Sequence, residues 1–220
     1  MQKQNSLQCQ LKQTLQVDAL AEVYCVKMSK SNEYLMSGHS DRVVRLWNIT
    51  KGSFVSAFEG AHNREIFDVA ISEDNEKFFT CGGDRLVYMW EVLKGHWVRK
   101  FDAHTEKVNS VCLNPSMQNV LASGSYDGTV LLWDLLSRNT KPIQSLSDFR
   151  DSVTKVVMTA GEILASSVDG FMRVFDIRMM KMLRFGQFEA INSFDLGSDQ
   201  NFTALSTLDS SIQLLDISDG

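Results

Sequence analysis

Cysteine is scarce and scattered. Cys9, Cys25, Cys81 and Cys112 are the four in 220 residues, and no two of them form a C-x-x-C pair. That spacing argues against a zinc site, which gathers ligands in close pairs, and against a disulfide framework. The thiols read as small apolar side chains in a reducing compartment, cytosolic or nuclear. Long apolar runs are missing as well. No segment approaches the roughly 18 to 20 apolar residues of a membrane span. The Gln-rich start, Met1 to Gln16, has no continuous apolar stretch of the kind a secretory signal carries. Nor is positive charge in excess. With 22 Lys and Arg against 27 Asp and Glu the formal net charge is -5, so the overall balance supplies no broad attraction to nucleic-acid phosphates.

What the sequence does have is 44% hydrophobic residues, enough for a substantial core in one domain, and a strong internal repeat. The segments Val43 to Asn48, Leu86 to Glu91 and Thr129 to Asp134 share one pattern, continued by Met172 to Asp176 and Ile212 to Asp216. Their large anchors are Trp47, Trp90, Trp133, Phe175 and Leu215, spaced 43, 43, 42 and 40 residues apart. An aspartate stands six residues before every anchor: Asp41, Asp84, Asp127, Asp169 and Asp209. Four residues before the first three aspartates stand the hydroxyls of Ser37, Thr80 and Ser123, and the later repeats put Ala165 and Leu205 there. His62 and His104 lie upstream in the second and third repeats.

The runs between these landmarks are short, apolar or β-branched, and bounded by turn residues. In the third repeat they predict strands over Val108 to Leu113, Val120 to Gly124, Thr129 to Trp133 and Ile143 to Leu146. The pattern resembles the WD-repeat family over nearly the whole chain. The resemblance implies an all-β propeller of five four-stranded blades, with repeats at about 17–58, 59–101, 102–146, 147–186 and 187–220. It also implies a buried polar tetrad in a blade, because an enclosed indole N–H and an enclosed carboxylate each need partners. The two complete sets are Trp90, Thr80, His62, Asp84 and Trp133, Ser123, His104, Asp127. The first repeat keeps Ser37, Asp41 and Trp47 but has Ala19 in the histidine slot. The fourth sets Phe149, Ala165 and Phe175 around Asp169, and the fifth Gln187, Leu205 and Leu215 around Asp209. These last two repeats are expected to lean on apolar packing, with their aspartates serving as turn residues.

The His, Ser and Asp types also belong to a hydrolytic triad. A set that occurs twice at one offset, with its hydroxyl mid-strand, suits a repeated structural device better. The glycines of Gly82-Gly83 and Gly124 precede no Gly-Lys-Ser/Thr and open no helix, so they read as turn glycines rather than a phosphate loop. Arg178, Lys181 and Arg184, interleaved with Met179, Met180, Met182 and Phe185, read as a solvated outer strand guarding an edge rather than an RNA-facing patch. His39 and His96 fall off the repeated phase and are expected in surface loops; Cys81 and Cys112 are expected to pack in the core.

Family resemblance places partner contacts two residues after the histidine slot, at Ala21, Arg64, Glu106, Asp151 and Glu189. It places others just before the turn aspartate, at Ser40, Gly83, Tyr126, Val168 and Leu208. Arg64 and Tyr126 stand out, since interfaces favour both residue types. The strings at 82–87, 161–170 and 206–216 resemble more particularly a seven-repeat subfamily of WD scaffolds. That likeness implies protein partners, either kinases of a mitogen-activated cascade or spliceosomal proteins acting in mRNA splicing. No catalytic residue, metal, cofactor, small-molecule substrate or membrane contact is expected. The alternative is a subunit of another WD-repeat complex in RNA processing that touches RNA directly. With five repeats, the chain is expected to form an open arc, against the alternative of a five-blade ring closed by 9–16 as an outer strand, Leu11 to Gln16 pairing beside Ser211 to Asp216.

Overall fold

The computed structural model describes residues 13–16, 20–179, 181–197 and 202–216, and among them every regular element is a β-strand. The strands form five antiparallel sheets in chain order. Blade 1 holds β1 (Val23–Met28), β2 (Tyr34–His39), β3 (Val44–Asn48) and β4 (Ser53–Phe58). Blade 2 holds β5 (Ile66–Ile71), β6 (Lys77–Gly82), β7 (Val87–Glu91) and β8 (His96–Phe101). Blade 3 holds β9 (Val108–Leu113), β10 (Val120–Ser125), β11 (Val130–Asp134) and β12 (Gln144–Leu146). Blade 4 holds β13 (Val153–Met158), β14 (Glu162–Ser167), β15 (Phe171–Asp176) and β16 (Met182–Gln187). Blade 5 shows β17 (Ile191–Leu196), β18 (Phe202–Thr207) and β19 (Ile212–Asp216).

Burial runs across each blade as a propeller requires. The second strands β6, β10 and β14 are buried at five of six positions, on both faces at once, because each blade is sandwiched between neighbours. The outer strands β4 and β8 are mostly exposed or half-buried. Four apolar seams hold the blades face to face. Met36, Phe58, Phe78 and Trp90 pack between blades 1 and 2, and Phe79, Phe101, Leu121 and Trp133 between blades 2 and 3. Leu132, Phe149, Ile163 and Phe175 fill the next seam, and Leu164, Met172, Phe194 and Leu205 the last. Each such side chain contributes about 1.5–3 kcal/mol by leaving water. The approach is close enough that a Cβ on Gly124 would sit 2.6 Å from Val156 of the next blade.

The first strands β1, β5, β9, β13 and β17 pack successively on one another around a central cavity of about 430 Å³. One register position, just past the bulge in each, carries Cys25, Asp68, Ser110, Lys155 and Ser193. Three of these form a latch across blades 2, 3 and 4. Ser110 Oγ donates to the Asp68 carboxylate at 2.8 Å, Lys155 Nζ donates at 2.8 Å and the Val111 N–H at 3.2 Å. Ser110 Oγ in turn accepts the Val156 N–H at 3.2 Å. Burial works to lower the Lys155 pKa, but the adjoining Asp68 carboxylate outweighs it and holds the ammonium charged. Burial pushes the Cys25 thiol up to about 12, so it stays protonated and unreactive.

Among the described residues no buried seam joins blade 5 to blade 1. Val23, Tyr24, Val26 and Met28 on β1 are exposed, as are Phe202, Ile212 and Leu214 on blade 5. Among the described residues, then, blades 1 and 5 share the lining of the central cavity but no apolar seam. The expected outer strand at 9–16 needs correction. Residues 9–12 lie outside the described residues, and 13–16 form no strand beside β19. Instead the Gln13 side-chain amide donates to the Gly52 carbonyl in the β3–β4 turn of blade 1 at 3.2 Å.

Candidate functional site

Two kinds of polar construction share the end of the blades where the β2–β3 type turns lie, and a surface depression lies over those of blades 2 and 3. In blade 2, the carboxylate of Asp84 faces His62 Nδ1 at 2.9 Å, His62 Nε2 lies 2.7 Å from Thr80 Oγ1, and Trp90 Nε1 donates to Thr80 Oγ1 at 2.9 Å. Blade 3 repeats the arrangement: Asp127 to His104 Nδ1 at 3.0 Å, His104 Nε2 to Ser123 Oγ at 2.8 Å, Trp133 Nε1 to Ser123 Oγ at 2.8 Å. A carboxylate only accepts, so Nδ1 carries the ring proton and donates; Nε2 then accepts the hydroxyl proton, leaving the hydroxyl oxygen to accept from the indole. Every donor is used once and the direction of the chain is fixed. Burial works to raise the Asp127 carboxyl, but hydrogen bonds from His104 and Thr129 outweigh it and hold it well below the usual carboxylate range. Thr80 and Ser123 are wholly buried, so neither hydroxyl is open to a substrate.

Blades 1 and 4 reach the same end differently, which corrects two sequence expectations. His39 is not in a surface loop; it ends β2 and is fully buried. Its Nε2 lies 2.8 Å from Ser37 Oγ, which also accepts the Trp47 indole N–H at 2.9 Å. The ring thus makes the bond to the strand hydroxyl that His62 and His104 make in blades 2 and 3; Ala19, in the expected histidine slot, lies outside the described residues. Among the described residues its Nδ1 finds no partner, and Asp41 is held by the Arg45 guanidinium at 2.5 and 3.1 Å. His96 is exposed as expected, but heads β8 rather than lying in a loop, since its backbone pairs with Glu91. In blade 4 the network is not purely apolar. Arg173 grips Asp169 through two hydrogen bonds of 2.8 and 3.1 Å, and its guanidinium lies 4.8 Å over the ring of Phe149, the residue in the histidine slot. Both groups are nearly buried, with side-chain exposures of 8% and 5%. The signal was readable. Arginine stands four residues after the aspartate only in the first and fourth repeats, which lack a histidine in the slot; Tyr88, Leu131 and Gln213 stand there in the others.

All five aspartates also serve the turn, the role expected for Asp169 and Asp209. Each accepts, through Oδ1, the N–H two residues on: Val43, Leu86, Thr129, Phe171 and Ser211, at 3.0–3.3 Å. In blades 2, 3 and 4 the other oxygen accepts a backbone N–H from the loop entering the blade, at Asn63, Thr105 and Arg150. The residue after each aspartate takes a left-handed backbone. Gly128 and Gly170 do so without strain, whereas Arg42, Arg85 and Ser210 hold φ of 70°, 69° and 66°.

Over the turns of blades 2 and 3 lies a depression of about 680 Å³ lined by Asn63, Arg64, Gly83, Asp84, Arg85, Glu106, Lys107 and Tyr126. It gathers Arg64, Glu106, Gly83 and Tyr126 in one place. Tyr126 is half exposed, with the Lys107 ammonium 4.8 Å from its ring centre. Sequence reasoning missed Arg85 and Lys107, because neither occupies a family contact position. The remaining candidates lie apart. Ser40 Oγ is occupied by the Glu22 N–H in blade 1, Asp151 and Glu189 are exposed at the entries to blades 4 and 5, and Leu208 is exposed on blade 5. Ala21 and Val168 are half-buried, and Leu215 leans on the last seam. Among the described residues no group of acidic, histidine and cysteine side chains is placed to hold a metal ion.

The geometry defines a propeller of WD-type blades. The WD domain, G-beta repeat family profile matches residues 9–48, 52–91 and 95–134, and the chain belongs to this WD40 family. Among relatives, it is 30% identical over 89% of its length to WD repeat domain-containing protein 83 homolog of Dictyostelium discoideum, spanning 68% of that protein. It is 38% identical to WD repeat domain-containing protein 83 of Rattus norvegicus over 36% of the chain and 25% of the relative. An uncharacterized WD repeat-containing protein of Schizosaccharomyces pombe is 34% identical over 96% of the chain and 70% of the relative. The subfamily likeness noted in the sequence is to the same protein 83 group, also called the mitogen-activated protein kinase organizer.

Proposed function

We propose that this chain is a non-catalytic scaffold that docks protein partners at the depression between the turns of blades 2 and 3. The observation that carries this reading is the convergence of an exposed aromatic, Tyr126, with the exposed side chains of Arg64, Arg85, Lys107 and Glu106 over a rigid, polar-bonded support. Interaction energy concentrates in such aromatic and arginine anchors, and a base held by buried tetrads presents them without ordering cost. No hydroxyl of the tetrads faces solvent, so an acyl-transfer reading has no nucleophile to use. By likeness to the protein 83 group, the partners are kinases of a mitogen-activated cascade or spliceosomal proteins, met in the cytoplasm or nucleus.

The test is affinity capture from native extract with the unaltered chain and with Arg64→Ala and Tyr126→Ala. Each variant should lose captured kinases or splicing factors while shifting the unfolding free energy by less than about 0.5 kcal/mol, as exposed substitutions do. A variant that loses stability along with capture would place its residue in the fold's support and remove it from the docking surface. Capture unchanged in both variants would move the site elsewhere.

A further inference from the structure

Building on the docking reading above, we infer that the depression over blades 2 and 3 selects an acidic segment of a protein partner, its carboxylates held by Arg64, Arg85 and Lys107 with Tyr126 as the apolar floor. The charge inventory points this way. Among the side chains lining the depression, Asp84 is committed to His62, which leaves three cations against one exposed acid, Glu106. Among the described residues none of the three cations forms an ion pair. In a chain of net charge -5 this is a local reversal of sign, and unpaired cations gathered over a depression raise the local concentration of anionic groups.

Two of the cations are also held in place. Lys107 lies between aromatic rings, its ammonium 4.8 Å from Tyr126 and 5.8 Å from Phe67, so the rings hold its charged end while the residue stays exposed. Arg85 reaches across the seam to the Thr105 carbonyl of the next blade at 3.4 Å. It does so from a left-handed backbone, φ 69°, which Arg42 and Ser210 also adopt in blades 1 and 5 and where blades 3 and 4 use glycine. What singles out Arg85 is therefore its exposure at the depression and its anchoring across the seam.

The same features separate a peptide from a nucleic acid. A nucleic-acid strand needs a stripe of positive charge tracking successive phosphates, whereas here the positive region is one depression. Glu106 lines it, and Glu65 and Asp151 lie on adjoining turns. A short run of carboxylates fits within this region, and a longer phosphate chain meets repulsion at its rim.

The experiment is a fluorescence anisotropy titration of the whole chain with three labelled probes: a 12-residue peptide of repeating Glu-Ala-Gly, the same peptide with Gln for Glu, and a 12-nucleotide oligouridylate. The Glu peptide should bind at least about fivefold tighter than the other two, and its affinity should fall between 50 and 200 mM salt as exposed charge pairs are screened. Arg64→Glu, Arg85→Glu and Lys107→Glu should each weaken it by about threefold to tenfold, while Lys141→Glu, a distant exposed cation, leaves it unchanged. Arg85→Gly gives a test in two directions: thermal midpoint equal or higher, peptide affinity lower. A fall in both would assign Arg85 to the fold's support and overturn its role. Equal binding of the Glu and Gln peptides, or binding of neither, would overturn the acidic selectivity. The docking reading would still stand or fall on the capture experiment with Tyr126→Ala. Tighter binding of the oligouridylate would overturn the choice of a protein ligand.

Discussion

Blades 2 and 3 and blades 1 and 4 face the same problem and solve it with different side chains. In all four, an aspartate closes the turn between the second and third strands, and its carboxylate is enclosed enough to need a partner. Blades 2 and 3 supply an imidazole from the loop before the blade, which passes its second nitrogen to a strand hydroxyl and so to a tryptophan. Blades 1 and 4 supply a guanidinium from the third strand, four residues along. The first solution ties loop, second strand and third strand into one chain. The second closes the hairpin through the guanidinium and reaches the entering loop, in blade 4, only through the Arg150 N–H; an aromatic ring lies under that arginine, and in blade 1 a histidine from the second strand bonds the strand hydroxyl. The turn therefore dictates the aspartate, and the choice of partner decides how much of the blade is bound to it.

The largest test of that difference lies in the tryptophans. Trp90→Ala or Trp133→Ala removes a buried anchor and orphans Thr80 or Ser123, at a cost of about 3–5 kcal/mol. Trp47→Ala should cost less, because its indole leans on the exposed Phe54. Chemical denaturation of the three variants measures this, and a loss below about 1 kcal/mol for Trp90 or Trp133 contradicts their place in a buried chain.

Next comes the arginine pair. Asp169→Ala leaves Arg173 buried without its counter-charge and should cost about 3–5 kcal/mol. Asp41→Ala, in the more open pair with Arg45, should cost about 1 kcal/mol. Equal losses would mean that burial does not separate the two blades. Acid sharpens the same point. Burial works to raise the Asp169 carboxyl, but the Arg173 guanidinium outweighs it and holds it below the ordinary value; for Asp41 the Arg45 hydrogen bond does so directly. Unfolded aspartates bind protons first, near pH 3.9, so the stability these pairs contribute is complete above that pH and is lost as the pH falls through the native values.

His39 responds over a different pH range. Burial, then the nearby Arg45 charge, lowers its pKa below the ordinary histidine value of 6.5. The folded state favours the neutral ring, the unfolded chain takes up the proton first, and stability should decline as pH drops below about 6.5. Thermal midpoints at pH 7.5 and 5.5 should therefore differ, and His39→Gln should narrow the difference. An unchanged difference would show that the buried ring is not the group being titrated.

How much of this was legible in the sequence depends on the kind of regularity involved. Period, strand order and the two full tetrads follow from offsets that recur, since one turn geometry forces one spacing. The substitutes do not recur in phase. His39 stands two residues after Ser37 instead of eighteen before it, and a search for one offset passes over it. Arg45 and Arg173 were visible as a paired exception but carry meaning only once their strand face is known to point back at the turn. Lys155 and Asp68 are 87 residues apart, and only the stacking of three inner strands brings them together. Tyr126 and Arg64 were identifiable as contact candidates from the family pattern. Arg85 and Lys107 joined them through the blade-to-blade angle, which no local window contains.

Blade 5 gives the smallest and most discriminating expectation. Asp209 has the same turn bond to the Ser211 N–H at 3.0 Å and accepts the Thr207 hydroxyl, but Gln213 replaces the arginine and no imidazole reaches it. It is exposed, so its charge is solvated whether or not a cation is near, and the turn asks only for an acceptor oxygen that asparagine also carries. Asp209→Asn should leave the thermal midpoint at pH 7 within about 1 °C of the unaltered chain, in line with exposed substitutions. If its midpoint instead falls as far as that of Asp41→Ala, the turn itself would need the negative charge, and the distinction between imidazole-held, guanidinium-held and solvent-held aspartates would lose its basis.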